Sequence, residues 1–331
     1  MHQRHGVAEP LGARTAFVLD EVWPEYASLV AALARPDDQR LAPGLRGARP
    51  GRYRWPGPVR HAASLATLRR HLAMRRVAKA SGGVRQAAYL RHDRAVARAL
   101  AGRIDYRATH IVTAQAFLPW LDELGMLGGR SFDVLMSRFP LAEIHRRLDA
   151  VAAETGASAT IGDFRAEEAL VAREAALLAR ARRIVTPHHG IAALFPGRAD
   201  LLTWHKPPAA EVRPGNRVAF LGPTITRQRP DLVRAMAAKL DAPLILFGEM
   251  LAGSDFWEGI AVERRHFGPG WLDGIGTILH PAALTAQPRR LLAAAARGVT
   301  IYATDGCGLD PAAYRPFPAF RPQDAETTQR P

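Results

Sequence analysis

The chain has 331 residues, 48% of them hydrophobic and 23% charged, with a formal net charge of +14 and one cysteine. That size holds two domains with a core each, the composition is globular rather than disordered, and a lone thiol excludes a disulfide framework or a cysteine-rich metal site. No apolar run nears the roughly 20 residues that span a bilayer, and residues 1–12 carry no apolar signal core, so a cytoplasmic protein with a disordered N-terminus is expected.

In chain order, Thr15–Leu19 is a short apolar strand. Asp20 and Glu21 follow at its carboxyl end, where an acid facing an acceptor would stand; capping of the next helix explains Asp20 equally well. That helix runs from Pro24 to Ala34, with proline where its missing N–H costs least. Residues 36–60 are rich in Pro, Gly and Arg and read as a long loop.

Two basic helices follow, over about 61–80 and 84–101, split by Ser81-Gly82-Gly83. Residues 40–107 carry 17 Lys+Arg against Asp93 and Asp105, a net +15, while the remainder of the chain stands at −1. Such clustering points to an anionic partner, with an arginine-rich solvated face as the bland alternative. Arg69, Arg70, Arg75, Arg76 and Lys79 recur at near-helical spacing beside Leu65, Leu68, Leu72 and Val77, the pattern of an amphipathic helix that lies on an anionic membrane. Few aromatics accompany them and no zinc-finger or RNA-binding signature is present, so nucleic acid is the less favoured partner.

Strands are predicted at His110–Thr113, Ser131–Met136 and Arg183–Thr186, and helices at Phe117–Leu124, about 140–154 and Arg165–Arg182, the last with Asp163 as N-cap. Pro187-His188-His189 ends this half. Two adjacent histidines do not share a helix face, so a zinc pair is not expected. Residues 205–216, HKPPAAEVRPGN, read as a linker. Beyond it, strands are predicted at Arg217–Leu221, Pro243–Phe247 and Ile260–Arg264, with a helix from about Pro230 to Leu240. This alternation predicts parallel sheets of the Rossmann type. There is no G-x-G-x-x-G dinucleotide fingerprint and no Walker lysine loop.

The most informative stretch is GTILHPAALTAQPRRLLAAAARGVTIYATDGCGL, residues 276–309. It reads as a strand to His280, a polar turn over Pro281–Pro288, a helix over Arg289–Arg297 closed by Gly298, and a strand over Val299–Ala303. That order puts the turn at the carboxyl edge of a parallel sheet, where α/β ligands bind. His280, Pro281, Ala295, Gly298, Val299, Ile301, Ala303 and Gly308 resemble the donor-binding segment of group 1 glycosyltransferases of the GT-B fold. Glu174, Ala181, Ile184, Val185 and Pro187 resemble the segment that closes the first half of that family. The likeness covers roughly residues 105–309. Two glutamates that the family carries eight positions apart fall here on Thr285 and Ala293.

The resemblance implies two Rossmann-like α/β domains with parallel sheets facing a central cleft. These are an acceptor-side domain over 13–204 containing the basic segment 40–107, the linker 205–216, a nucleotide-sugar domain over 217–309, and a Pro-rich tail over 310–331. It implies transfer of a hexose from a nucleotide-sugar donor to a glycan, lipid-linked or cell-envelope acceptor, with no metal or other cofactor, by a protein at the inner face of the membrane. The donor-binding residues it implies are Gly222, Arg227, Arg229, Gly248, Glu249, His280, Pro281, Thr285 and Gln287. Asp20, Glu21 and Gln287 are the catalytic candidates. The altered glutamate positions favour an alternative, a noncatalytic binder of a nucleotide sugar or glycan. Charge alone favours a third, nucleic-acid binding.

Overall fold

The computed structural model describes residues 14–44, 53–156, 158–208, 215–253 and 255–317. The N-terminal stretch 1–12, six positions of the expected linker and most of the expected tail lie outside them. The first half runs β1 (Arg14–Val18), α1 (Pro24–Leu33), β2 (Gln39–Pro43), β3 (Arg60–Ala62), α2 (Ser64–Arg76), α3 (Gly82–Ala101), β4 (Ala108–Ala114), α4 (Leu118–Glu123), β5 (Ser131–Leu135), α5 (Leu141–Thr155), α6 (Glu168–Arg180), β6 (Arg183–Thr186), α7 (His189–Ala192) and β7 (Ala199–Leu201). The second runs β8 (Arg217–Phe220), α8 (Pro230–Ala237), β9 (Leu244–Phe247), β10 (Val262–Arg265), β11 (Ile275–His280), α9 (Arg289–Ala295), β12 (Thr300–Ala303) and β13 (Arg315–Pro316).

Two sheets result. One has the order β3-β2-β1-β4-β5-β6-β7, the other β10-β9-β8-β11-β12-β13. The pairings from β3 to β6 are all parallel, and so are those of the second sheet. Counted from its own first strand, each sheet opens in the 3-2-1-4-5-6 order of the doubly wound α/β fold. The expectation of two Rossmann-like parallel sheets flanked by helices therefore holds. Central strands of such sheets are covered on both faces and read as unbroken apolar runs. All six residues of β11 are buried, as are the four of β9. The second core gathers Val218, Phe220, Val233, Leu244, Leu246, Trp257, Leu279 and Tyr302.

The chain divides into two compact units that interleave in sequence. One takes the residues up to Lys79, Ala87–Met136 and Ala172–Val185. The other takes Ala80–Gln86, Ser137–Val171 and the chain from Thr186 onward, so α5 and the loop after it pack with the second sheet.

Three local expectations change. The loop expected over 36–60 contains β2 and the start of β3. These strands are short and rich in polar residues, and pairing with β1 rather than local pattern makes them strands. The helix expected from Arg165 begins at Glu168, and Asp163 does not cap it. Its carboxylate takes Arg85 and Arg227 instead. Beyond Leu309, Arg315–Pro316 adds an edge strand beside β12.

Candidate functional site

In the first unit, Asp20 sits just beyond β1 and is held rather than free. Arg70 of α2 donates to its carboxylate at 2.7 Å, to Asp93 at 2.7 Å and to the Tyr53 hydroxyl at 2.7 Å. Burial works against the Arg70 charge, and the two carboxylates overcome it, leaving the guanidinium firmly protonated. Trp55 donates its indole N–H to the Asp20 carbonyl. Glu21 is half-buried beside this network.

A second buried cluster lies at the amino ends of β4 and β5, opposite the edge where such sheets bind ligands. His110 Nδ1 is 2.8 Å from Ser131 Oγ, and its Nε2 faces Asp133 at 3.3 Å. The composition is that of a hydrolase triad, but the Arg182 guanidinium also lies 3.1 Å from His110 Nε2, and Arg182 and Arg183 both donate to the Asp133 carboxylate. These contacts tie β4, β5 and the start of β6 together at the end of the strands where such sheets do not bind ligands, and the cluster is structural. Asp133 is wholly buried, yet hydrogen bonds from His110, Arg182 and Arg183 outweigh its burial and hold its carboxyl far below the usual range.

The second unit collects most of the predicted site. In the second sheet the order reverses between β8 and β11, and ligands of open parallel sheets bind outside the carboxyl ends at such a switch point. Leu221–Arg229 leave β8 there, Gly248–Leu251 leave β9, Pro281–Pro288 leave β11 and Thr304–Gly308 leave β12. Backbone bonds tie these loops together. Thr224 N–H donates to Glu249 O at 2.8 Å, Ala283 N–H to Arg227 O at 3.0 Å, and Thr285 N–H to Gly306 O at 3.0 Å. Gly222, Arg227, Arg229, Gly248, Glu249, Pro281, Thr285 and Gln287 thus stand on three loops joined through the one after β8, with His280 at the end of β11, whereas Asp20 and Glu21 belong to the other unit.

Two glycines permit this approach. Gly248 has φ of +93°, and a Cβ there would meet Pro223 at 2.9 Å. A Cβ on Gly306 would come within 2.5 Å of the Ala283 carbonyl. Around them, Pro281 and Gly222 are buried, Thr285 is half-buried, and Gly248, Glu249 and Gln287 are exposed.

The charges at this edge are unequal. Arg227 is ion-paired with Asp163 and lies over the Phe164 ring at 5.0 Å. Arg85 reaches the same carboxylate at 3.3 Å, so two guanidinia share one acid. Burial pulls the Arg227 pKa down, Asp163 opposes that, and Arg85 adds to it. Arg229 is the reverse case, with Asp231 at 2.9 Å and Glu154 at 2.7 Å on one guanidinium. Its own φ of +56° marks the turn into α8.

His280 Nε2 bonds to Thr285 Oγ1 at 2.8 Å, while its Nδ1 is buried with no hydrogen-bond partner among the described residues; Gln228 Oε1 is in the same state. Burial alone lowers the His280 pKa to about 4. His188 Nδ1 accepts from Ile191 N–H at 3.1 Å, which puts its proton on Nε2, aimed at the Thr285 carbonyl at 3.0 Å. Burial lowers its pKa to about 4 as well, against the pull of that carbonyl.

Arg147 of α5 is a part of the site that sequence reasoning missed. It donates to Glu143 at 2.7 Å, to the Ala283 carbonyl at 3.3 Å and to Asp305 at 2.6 Å, so it clamps the loops after β11 and β12. Only the i,i+4 pair with Glu143 is visible locally, because Ala283 and Asp305 lie some 140 to 160 residues further along the chain. Phe267 and Trp271, packed on Phe247 at the end of β9, were also missed; Arg290 lies 3.3 Å over the Phe267 ring. Cys307 is fully buried and its thiol is pushed up to about 12, so it is packing and not a nucleophile. No group of three or more His, Cys, Asp or Glu side chains placed to hold a metal ion occurs among the described residues.

No protein-family model and no curated protein sequence matches the chain. Among solved structures it is similar to sucrose-phosphate synthase from Thermosynechococcus elongatus, at 13% identity and a TM-score of 0.48 over 88% of this chain and 81% of that one. It is similar to HepE of Anabaena in complex with UDP and glucose, at 12% and 0.47 over 96% and 89%. It is also similar to the lipopolysaccharide outer core galactosyltransferase WaaB in its apo form, at 11% and 0.46 over 95% and 87%.

Proposed function

We propose that this chain is a glycosyltransferase that moves a sugar from a nucleotide-sugar donor to a glycan or cell-envelope acceptor, without a required metal. One observation carries the reading. Four loops at the carboxyl edge of the second sheet converge on its switch point, and among them the buried Arg227 shares its one carboxylate, Asp163, with Arg85. A diphosphate is an anion that suits such a site, and fixed cations can neutralise it without reorganising. In this reading Arg227 serves the diphosphate, while Arg229, already matched by two carboxylates, shapes the turn. Gly222 and Gly248 let the donor approach the backbone. The buried, unpartnered Nδ1 of His280 and the exposed amide of Gln287 supply hydrogen bonds to donor oxygens and sugar hydroxyls. Asp20 and Glu21 serve the acceptor side.

The second reading, a noncatalytic nucleotide-sugar binder, draws on Thr285 and Ala293. The Thr285 hydroxyl is engaged by His280, and Ala293 has no polar group, so neither position offers a carboxylate to the donor.

A thermal-shift screen of nucleoside diphosphates and nucleotide sugars tests the proposal. A ligand that binds only the native state at 100 times its Kd adds about 2.7 kcal/mol of apparent stability. Arg227→Ala is expected to weaken diphosphate binding by about 1.5–3 kcal/mol, the worth of a charged hydrogen bond, and Arg229→Ala far less. No stabilisation by any nucleotide or nucleotide sugar would refute the donor site. Binding without release of diphosphate across acceptor extracts would support the noncatalytic reading.

A further inference from the structure

The basic helix α2 is turned the opposite way from an ordinary surface helix. Its leucines face solvent and an arginine faces inward. Leu65, Leu68 and Leu72 are 60%, 37% and 43% exposed, and their i, i+3, i+7 spacing puts them on one stripe. On the opposite side, Thr67 and Arg70 are the buried residues of the helix. The ion pairs of Arg70 with Asp20 and Asp93 and its bond to Tyr53 fix this orientation. A helix anchored through a polar network has no need of its apolar stripe for the fold, and the stripe stays uncovered among the described residues.

We propose that the outer face of α2 docks on an anionic lipid bilayer. The charge around the leucines selects that partner. Arg69 and Arg76 stand next to the stripe, four residues after Leu65 and four after Leu72; Arg75 lies on its other flank, and all three are exposed. The helix SLATLRRHLAMRR contains no acid. Leucines that enter the acyl boundary with arginines at head-group level are the two halves of interfacial binding. A second copy of the chain would bring two such arginine sets together, and a nucleic acid offers nothing for the leucines to bury against.

The test uses the full chain in co-sedimentation with vesicles of phosphatidylglycerol and of phosphatidylcholine. The wild type is expected to bind the anionic vesicles at least tenfold more tightly than the neutral ones. The variants Leu65→Ser/Leu68→Ser/Leu72→Ser and Arg69→Glu/Arg76→Glu should each lose at least tenfold on the anionic vesicles while keeping the circular dichroism spectrum and thermal midpoint. Leu72→Lys alone serves as a milder variant that keeps the buried side of the helix untouched. Equal binding to both lipids overturns the proposal. So does a leucine variant that binds like the wild type, because attraction would then be the diffuse +15 charge and not this face. A concentration-dependent dimer in sedimentation that the leucine variant abolishes would assign the face to a second copy instead. Vesicle binding requires no sugar transfer, so its outcome is independent of the donor site.

Discussion

At the residue scale, the second unit holds two buried neutral imidazoles at the carboxyl edge of its sheet. His188 and His280 both have pKa values lowered to about 4 from an ordinary 6.5, chiefly by loss of water. Between those values the unfolded chain takes up a proton at each site that the folded chain refuses. Stability therefore rises with pH across this window, and acidification from pH 7 toward 4 removes on the order of 1 kcal/mol per pH unit for each ring. The tautomers differ in consequence. His188 spends its proton on the Thr285 carbonyl and positions that loop, whereas the buried His280 Nδ1 has no hydrogen-bond partner among the described residues. In a histidine NMR titration both rings are expected to stay neutral at pH 5.5. A ring that titrates near 6.5 would contradict the burial assigned to it.

At the scale of elements, buried ion clusters decide how the helices and strands of the first unit are held. Asp133 of β5 takes His110 from β4 and Arg182 and Arg183 at the start of β6, so one carboxylate joins three adjacent strands. Removing one partner of a buried pair leaves the others uncompensated, which costs about 3–5 kcal/mol in the general case. The two arginines here are a third exposed, so Asp133→Asn is expected near the lower end, at about 3 kcal/mol in urea unfolding, with no effect on donor binding in the other unit. A loss below about 1 kcal/mol would show that water already satisfies the cluster. Arg70 plays the corresponding role for α2, where the orientation of a whole helix depends on one guanidinium.

At the scale of the whole molecule, the two units each have a sheet and a core, and sequence order does not separate them. The segment Ser137–Val171 precedes β6 in the chain yet belongs with the second sheet. Through it, Arg147 clamps Ala283 and Asp305, Ser158 bonds to Thr226 at 2.7 Å, and Asp163 takes Arg227. The loops at the switch point are thus held by residues from outside the second half of the chain. A bound nucleotide sugar is expected to raise hydrogen-exchange protection in Leu221–Arg229, Pro281–Pro288 and the clamping segment Leu141–Asp163 together. Protection confined to the first unit would place the donor elsewhere.

Alternating apolar runs and helical periods were enough for the sequence alone to determine the class of fold, two parallel sheets, and the positions of most strands. A strand buried on both faces must be apolar along its length, and IGTILH and LILF show it without context. The turns that cluster at the switch point were legible for the same reason, since each follows such a strand and three of the four carry glycine or proline at their first or second residue. Only the tertiary structure decided the rest. β2 and β3 are strands because β1 offers them a partner, and their polar sequences could not announce that. Asp163 has the composition of a helix cap and is a counter-ion, because Arg85 and Arg227 are brought to it from distant points in the chain. The leucines of α2 have the spacing of a buried stripe and face water, because a salt-bridged arginine on the opposite side outweighs them. Local pattern reports which side chains share a face. Which face is buried, and which charges compensate each other, follows from contacts that sequence spacing does not contain.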